Sequence, residues 1–418
     1  MTETGPEQAK SLPRRALVVG LGVTGRAAAF ALARHGVAVV AADCSSDADV
    51  AGLSEAGVEI HAGSEEESLL EGAELVVKGP GVPNESPLPA AARARGVPLW
   101  SEIELGYRLL HGNPLIGVTG TKGKTTTARL LGAILEAAQR RVVLAGNEHR
   151  PLSEVANELG TDVWVVCELS SFALEHVQTL ACDVAVLLNL EPDHLYRYES
   201  VEAYRDAKLR IFERARAKVV PRGMGLPGIE FSADDPLPAE PLLLGAHNRE
   251  NAAAAAAAAR AAGIGDEALA EALRTFRGVP HRLELVRELH GVRYVNDSKA
   301  TNASAARRGV ASFEAPLRLI LGGSLKGEDY GPFARDLPAN VRSIYLIGEA
   351  KEELAHALDA AGRRYFHEGD LEHAIAHARA DAQPGDVVLL SPAAASFDQF
   401  ENFEHRGDTF RRLVERLT

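Results

Sequence analysis

Twice in this chain an apolar run feeds a glycine turn that opens into a helix, and that order of elements leaves few folds open. The first case is Ala16-Leu-Val-Val19, then Gly20-Leu-Gly22-Val-Thr-Gly25, then a helical pattern to about Arg34. A second run, Ala38-Val-Val-Ala-Ala42, ends at Asp43, and Leu75-Val-Val77 leads into Lys78-Gly-Pro-Gly-Val-Pro83. The other case is Leu115-Ile-Gly-Val118, which enters Thr119-Gly-Thr-Lys-Gly-Lys-Thr-Thr126 and a long helix. Apolar runs at Val163–Cys167, Val184–Leu188, Leu317–Leu321, Ile344–Ile347 and Val387–Leu390 alternate with helical stretches, among them 251–262 and 267–276. Strands that alternate with helices predict parallel sheets covered on both faces. The 418 residues allow about three such units. The stretch from Val219 to Leu244, rich in proline and glycine, reads as short surface connections.

Composition excludes several classes. Net charge is −13, from 58 acidic against 45 basic residues, with no basic block, so a nucleic-acid partner is not expected. No run reaches the length of a membrane span, and the alanine tract 252–259 reads as helix interior. The polar N-terminus lacks the apolar core of a signal peptide. Three cysteines, Cys44, Cys167 and Cys182, fit no zinc spacing, and Cys167 reads as a buried thiol. A cytoplasmic protein is the expectation.

Two phosphate sites follow from the glycine turns. Gly20–Gly25 fits a diphosphate at a helix N-terminus, and by itself it leaves NAD, FAD or another diphosphate open. Gly120-Thr-Lys-Gly-Lys-Thr-Thr126 is the stronger signal. Its backbone N–H groups can wrap a phosphate, Lys124 can neutralise the terminal phosphates of ATP, and Thr125 can ligate Mg²⁺. Lys124 is expected to be exposed when no nucleotide is bound. Glu168 and Asp193-His194 stand at the ends of strands, where ligands gather on an open parallel sheet, and can supply metal ligands.

These segments, together with Glu168-Leu-Ser-Ser-Phe172, Ala207-Lys-Leu-Arg-Ile-Phe212, His247-Asn248-x-x-Asn251, Pro280-His-Arg282, Asn296-Asp-Ser-Lys-Ala-Thr-Asn302 and Ser391-Pro-Ala-Ala-Ala-Ser-Phe-Asp-Gln-Phe-Glu-Asn-Phe403, resemble the Mur ligases over nearly the whole chain. The resemblance implies an α/β, three-domain fold. A Rossmann-like domain (1–102) would hold a UDP-substrate, a central P-loop ATPase domain (103–278) ATP, and a C-terminal Rossmann-like domain (279–418) the incoming amino acid. It also implies an activity, the ATP-dependent joining of D-glutamate to UDP-N-acetylmuramoyl-L-alanine through an acyl phosphate, by a monomer. A family member with another amino-acid specificity is the alternative. An oxidoreductase resting on Gly20–Gly25, or a sugar-nucleotide sensor without catalysis, leaves more of the sequence unexplained.

By the same resemblance, Gly120, Thr121, Lys122, Gly123, Lys124, Thr125, Thr126, Asn251, Arg282 and Asp297 belong to the ATP site. Thr125, Glu168, His194 and a carbamylated Lys208 hold two Mg²⁺ ions. Val23, Thr24, Asp43, Gly81, Asn147 and Ser170 lie along the UDP-substrate, and Thr301, Lys326, Ser396, Phe397 and Phe403 surround D-glutamate. Three departures stand out: Ala145-Gly-Asn-Glu-His-Arg-Pro151 replaces the family's Gly-Gly-Asn-Ile-Gly, Tyr196 stands where aspartate is usual, and 219–245 is short.

Overall fold

The computed structural model describes residues 12–193, 197–243, 245–325 and 327–418. Three sheets follow one another along the chain. The first contains β1 (Arg15–Val19), β2 (Ala38–Asp43), β3 (Glu59–Ala62), β4 (Leu75–Lys78) and β5 (Leu99–Ser101), all parallel, in the order β3-β2-β1-β4-β5. The second contains β6 (Leu115–Thr119), β7 (Val142–Gly146), β8 (Trp164–Glu168), β9 (Val184–Leu187), β10 (Ala217–Pro221) and β11 (Ile229–Phe231), again all parallel, ordered β11-β10-β9-β6-β8-β7.

The third contains β12 (Glu284–Leu289), β13 (Val292–Asn296), β14 (Leu317–Gly322), β15 (Val341–Ile347), β16 (Tyr365–Gly369) and β17 (Val387–Leu390), ordered β12-β13-β17-β14-β15-β16. Only its β12–β13 hairpin is antiparallel. His290 and Gly291, which turn that hairpin, both have positive φ (51° and 76°), as its tight turn demands.

In each sheet the central strands are buried on both faces, which explains their unbroken apolar sequences. One expectation fails: the stretch after Val219 is not wholly surface connection. Val219 and Val220 are fully buried in β10, and β11 adds an edge strand beyond it. The helix predicted over 251–262 starts earlier, at Ala246. Among the described residues no helix is long and apolar enough to cross a membrane.

The chain gathers into two compact units. One runs up to Glu240 and resumes over Glu250–Leu273; the other comprises Pro241–Arg249 and Arg274–Thr418. Within the first, two sheets share a core. Helix Glu102–Leu109 packs Leu105 and Leu109 against Leu152, Val155 and Ala156 of helix Leu152–Ala156. The helices approach so closely that a Cβ on Gly106 would lie 2.6 Å from the Ser153 nitrogen.

Two buried carboxylates lock this seam. Glu104 accepts from the N–H groups of Gln178, Thr179 and Leu180 and from the Thr179 hydroxyl, and pairs with Arg108 at 2.7 Å. Burial pushes its pKa up, but these donors outweigh burial and hold it below the ordinary value. Glu102 accepts the Ser153 N–H at 2.6 Å, and burial, opposed by the N–H and hydroxyl of Ser153, raises its pKa to about 7.

Glu102 therefore makes stability depend on pH. In the unfolded chain it ionises near its ordinary value of 4.5, whereas the folded chain keeps the proton to about pH 7. The stabilisation is complete below the lower value and is lost as pH rises through the higher one. Glu102→Gln keeps an acceptor for the Ser153 N–H and carries no charge. At pH 8 its urea-unfolding free energy should exceed that of the wild type by roughly 2–3 kcal/mol, and the difference should shrink at pH 5. Parallel pH profiles for the two proteins would contradict a buried, protonated Glu102.

Candidate functional site

The phosphate loop leaves β6 in the middle of the second sheet, between β8 and β9. Gly123 adopts φ 82° and caps helix Lys124–Ala137, so the first N–H groups of that helix point to where the loop turns. Asn251 packs on the turn; a Cβ on Gly123 would sit 2.2 Å from its Oδ1. Thr125 and Thr126 are buried. Thr121 meets the Tyr204 hydroxyl at 3.0 Å, and the Lys122 N–H donates to Asn189 Oδ1 at 2.9 Å while its ammonium pairs with Glu191. Lys124 is half-buried rather than exposed. Its ammonium folds back on the loop and donates to the Gly120 and Thr121 carbonyls at 3.1 Å each.

Three charged groups converge beside this loop. Glu168 is the last residue of β8 and 1% exposed. The Asn147 amide donates to its Oε1 at 3.3 Å, and the Thr125 hydroxyl also bonds the carboxylate. Burial raises the Glu168 pKa, opposed by the charge of Lys124. Lys208, on helix Val201–Leu209, is 2% exposed and donates to the Gly120 carbonyl at 2.9 Å. Burial, helped by Lys124, lowers its pKa to about 7, opposed by Asp193. His194 lies outside the described residues.

A divalent metal fits this place. Glu168 Oε2 is buried with no hydrogen-bond partner among the described residues, and a buried carboxylate oxygen needs a donor or a cation. No three His, Cys, Asp or Glu side chains converge among the described residues. A metal bound by Glu168 and Thr125 would complete its shell from phosphate oxygens and water, as Mg²⁺ does.

At the carboxyl ends of β1, β2 and β4 in the first sheet, a cavity of about 480 Å³ is lined by Val23, Thr24, Asp43 and Gly81. The Asp43 carboxylate accepts the Leu21 N–H at 2.6 Å and the Ser45 N–H at 2.8 Å, so it also fixes the glycine turn. Two residues that the sequence reading passed over shape the opposite wall. Lys78 is buried and donates to the Val82 carbonyl at 2.7 Å. Arg197 reaches across from the second sheet to the Pro80 carbonyl at 2.6 Å and that of Val82 at 2.9 Å. Asn147 stands beside Glu168, away from the residues lining this cavity, and the Ser170 hydroxyl accepts the Ala173 N–H as a helix cap.

In the second unit, the ends of β13, β14 and β17 are tied together by Arg406, which no part of the sequence reading singled out. Its side chain is fully buried and donates to five oxygens, those of Ser298 (hydroxyl and carbonyl), Gly322, Ala394 and Ala395. Burial lowers its pKa to about 10, opposed by Asp398. The available signal was helical spacing: Arg406 lies on the buried stripe of helix Phe403–Glu415 with Phe410 and Val414.

Around it stand Ser396, which is buried, Phe397, 70% exposed, and Phe403, whose carbonyl accepts the Ser298 hydroxyl at 2.8 Å. Thr301 follows Ser298 in the loop after β13. Lys326 lies outside the described residues. Asp297 is buried, accepts the Ser391 hydroxyl at 2.7 Å, and burial lifts its pKa to about 7 against Ser391, the Leu283 N–H and the charges of Arg282 and Arg308. The residues expected around ATP thus divide: Gly120–Thr126 and Asn251 lie in the first unit, Arg282 and Asp297 in the second.

Family models match all three segments: the Mur ligase MurD-like N-terminal domain at residues 14–101, the Mur ligase middle domain at 118–222, and the Mur ligase glutamate ligase domain at 281–394. The chain belongs to the Mur ligase family. It is 39% identical to a UDP-N-acetylmuramoylalanine–D-glutamate ligase of Acidobacterium capsulatum, over 96% of each protein. A ligase of the same name from Myxococcus xanthus is 41% identical, over 97% of this chain and 98% of that one. Among solved structures, the UDP-N-acetylmuramate–alanine ligase of Thermotoga maritima shares the fold, with a TM-score of 0.54 at 20% identity over 96% of this chain and 98% of that one. This Mur ligase thus has the three-domain α/β architecture, a parallel or largely parallel sheet in each domain.

The Arg406 network gives a test of how the third sheet holds its loops. Arg406→Met leaves five inward-facing oxygens without this donor, and should lower the urea-unfolding free energy by at least about 3 kcal/mol. Arg406→Lys should recover less than half, because a single ammonium cannot reach as many acceptors as the guanidinium fork. A Met variant within about 1 kcal/mol of wild type would show that the network contributes little.

Proposed function

We propose that the chain is a cytoplasmic, ATP-dependent ligase that joins D-glutamate to UDP-N-acetylmuramoyl-L-alanine, a step in building the peptidoglycan precursor. The observation that carries this reading is end-to-end similarity, at 39% and 41% identity, to ligases named for that reaction. The cluster of Lys124, Glu168 and Lys208 at the phosphate loop supports it.

The terminal phosphoryl group of ATP passes to the free carboxylate of the muramoyl-alanine group, giving ADP and an acyl phosphate. The D-glutamate amine attacks the acyl carbon, the C–N bond forms, and phosphate leaves with the C–O bonding pair. Charge spreads over the oxygens of the moving phosphoryl group, so the protein's contribution is positioning and positive charge. Lys124 swings from the Gly120 and Thr121 carbonyls onto the phosphates. Thr126 and the loop N–H groups hold the nucleotide, with Asn251 behind the turn and Arg282 and Asp297 completing the ATP site.

Thr125, Glu168, His194 and a carbamylated Lys208 would hold two Mg²⁺ ions, which would supply positive charge to the phosphate oxygens and the acceptor carboxylate. Val23, Thr24, Asp43 and Gly81 bind the uridine diphosphate end, and Asn147 and Ser170 flank the sugar path. Thr301, Lys326 and Ser396, with Phe397 and Phe403, hold the two carboxylates of D-glutamate. The enzyme works as a monomer.

Incubation with ATP, Mg²⁺, UDP-N-acetylmuramoyl-L-alanine and D-glutamate should yield, by mass spectrometry, the substrate extended by one glutamyl residue. L-glutamate should yield none, since inverting the α-carbon misdirects the amine when both carboxylates are held. Lys124→Ala should cut turnover by about a thousandfold or more while leaving the fold intact. Product formation with the L form at an equal rate, or a fully active Lys124→Ala, would overturn this assignment.

Lys208 gives a separate prediction. A pKa near 7 leaves much of its amine neutral and able to add CO₂ at neutral pH, which turns a cation into an oxygen ligand. Lys208→Ala should lose most activity and regain part of it in acetate. Lys208→Glu should be less impaired than Lys208→Arg. The opposite ranking, with no effect of acetate, would mean that the amine acts as a cation.

A further inference from the structure

The loop that departs from the Mur ligase pattern lies against the metal-binding carboxylate. Gly146-Asn-Glu-His149 stands where the family pattern has Gly-Asn-Ile-Gly, so His149 puts an imidazole at a position that in the pattern bears no side chain. His149 Nε2 is 3.8 Å from Glu168 Oε2, and the two side chains are 7% and 1% exposed.

The loop's own bonding fixes the imidazole there. The His149 N–H donates to the Gly146 carbonyl at 2.9 Å, closing a tight turn, and the Gly146 N–H donates to the Arg150 carbonyl at 2.9 Å. Arg150 is anchored in turn by Glu154 and Glu158. At the start of the turn, a Cβ on Gly146 would lie 2.2 Å from the Glu168 carbonyl oxygen, so loop and strand end are in direct contact.

At 3.8 Å the imidazole and carboxylate are too far apart for a hydrogen bond. Two ligands of one octahedral ion, with bonds of about 2.1 Å, lie about 3.0 Å apart when adjacent and about 4.2 Å apart when opposed. The observed gap is about 0.8 Å wider than the adjacent spacing, so a small rotation of the imidazole would bring both groups onto one ion. The gap is flanked on one side by the Glu168 oxygen that has no hydrogen-bond partner among the described residues.

We propose that His149 is a further ligand of the divalent ion that Glu168 holds beside ATP, and that it shifts the preference of the site from Mg²⁺ toward Mn²⁺. Mg²⁺ favours oxygen ligands and keeps its waters, whereas imidazole nitrogen suits transition metals. The proposal rests on the metal–ATP reading of the phosphate loop and adds to it a nitrogen ligand from the 146–149 loop.

The test is calorimetric titration of Mn²⁺ and, separately, Mg²⁺ into the full-length protein saturated with adenylyl imidodiphosphate. His149→Gly, which restores the family residue, should weaken Mn²⁺ binding by about tenfold and Mg²⁺ binding by less than about threefold. His149→Gln, which keeps a side chain in the turn, should show the same change in preference if the Gly variant folds poorly. Pulsed electron paramagnetic resonance of the Mn²⁺ complex should lose nitrogen coupling in either variant. An unchanged Mn²⁺-to-Mg²⁺ ratio in both variants would overturn the ligand role while leaving the metal–ATP reading intact. Normal metal binding with weakened binding of the UDP-substrate would overturn it as well, and assign the imidazole to the sugar path. A wild-type complex that binds neither ion would overturn both the proposal and the reading beneath it.

Discussion

Burial of Glu168 and Lys208 at the carboxyl end of the central sheet is the constraint that organises the charged groups there. Glu168 and Lys208 are both nearly inaccessible, so burial drives each toward its neutral form, the acid upward and the amine downward. Lys124 opposes the first effect and adds to the second: its charge favours ionised Glu168 and disfavours ionised Lys208. In this arrangement the loop's own carbonyls serve as the partners of the two ammonium groups. Arg406 meets the same constraint differently: a guanidinium cannot shed its proton at neutral pH, so the loops of the third sheet turn five oxygens toward it.

Much of the fold was legible because parallel strands buried on both faces are written as plain apolar runs. Ala16–Val19, Leu115–Val118 and Val387–Leu390 fall within strands β1, β6 and β17. The strands at and next to one edge of the second sheet were not legible. β11 has three residues, two of them exposed, and β10 carries Lys218 and ends on Pro221, so neither shows an apolar run. The β12–β13 hairpin escaped because β12 is partly exposed throughout and its turn, His290-Gly291, is not among the commonest turn pairs.

The phosphate loop was legible for a further reason: its function is local, with glycines, lysine and threonines consecutive in the chain. Arg197, His149 and Arg406 are different. Each acts on a segment distant in sequence, on Pro80 and Val82, on Glu168, and on the ends of three strands. Nothing in their immediate neighbours records those partners. Ser170 shows the converse: its hydroxyl is engaged in capping the helix that follows, a role that sequence near a glycine-free loop states only weakly.

The seam between the first two sheets has a metrical consequence. Glu102, Glu104 and the close approach at Gly106 join the walls of the N-terminal cavity and the phosphate loop into one body. Two binding points on a body of this kind stand at a set separation, as the jaws of a caliper do once the screw is tightened. On the proposed function, a ligand anchored by its nucleotide end would be measured against that span, and only one whose far end falls at the loop would meet Lys124. Selection by length would then come from packing distant in sequence from either end of the ligand.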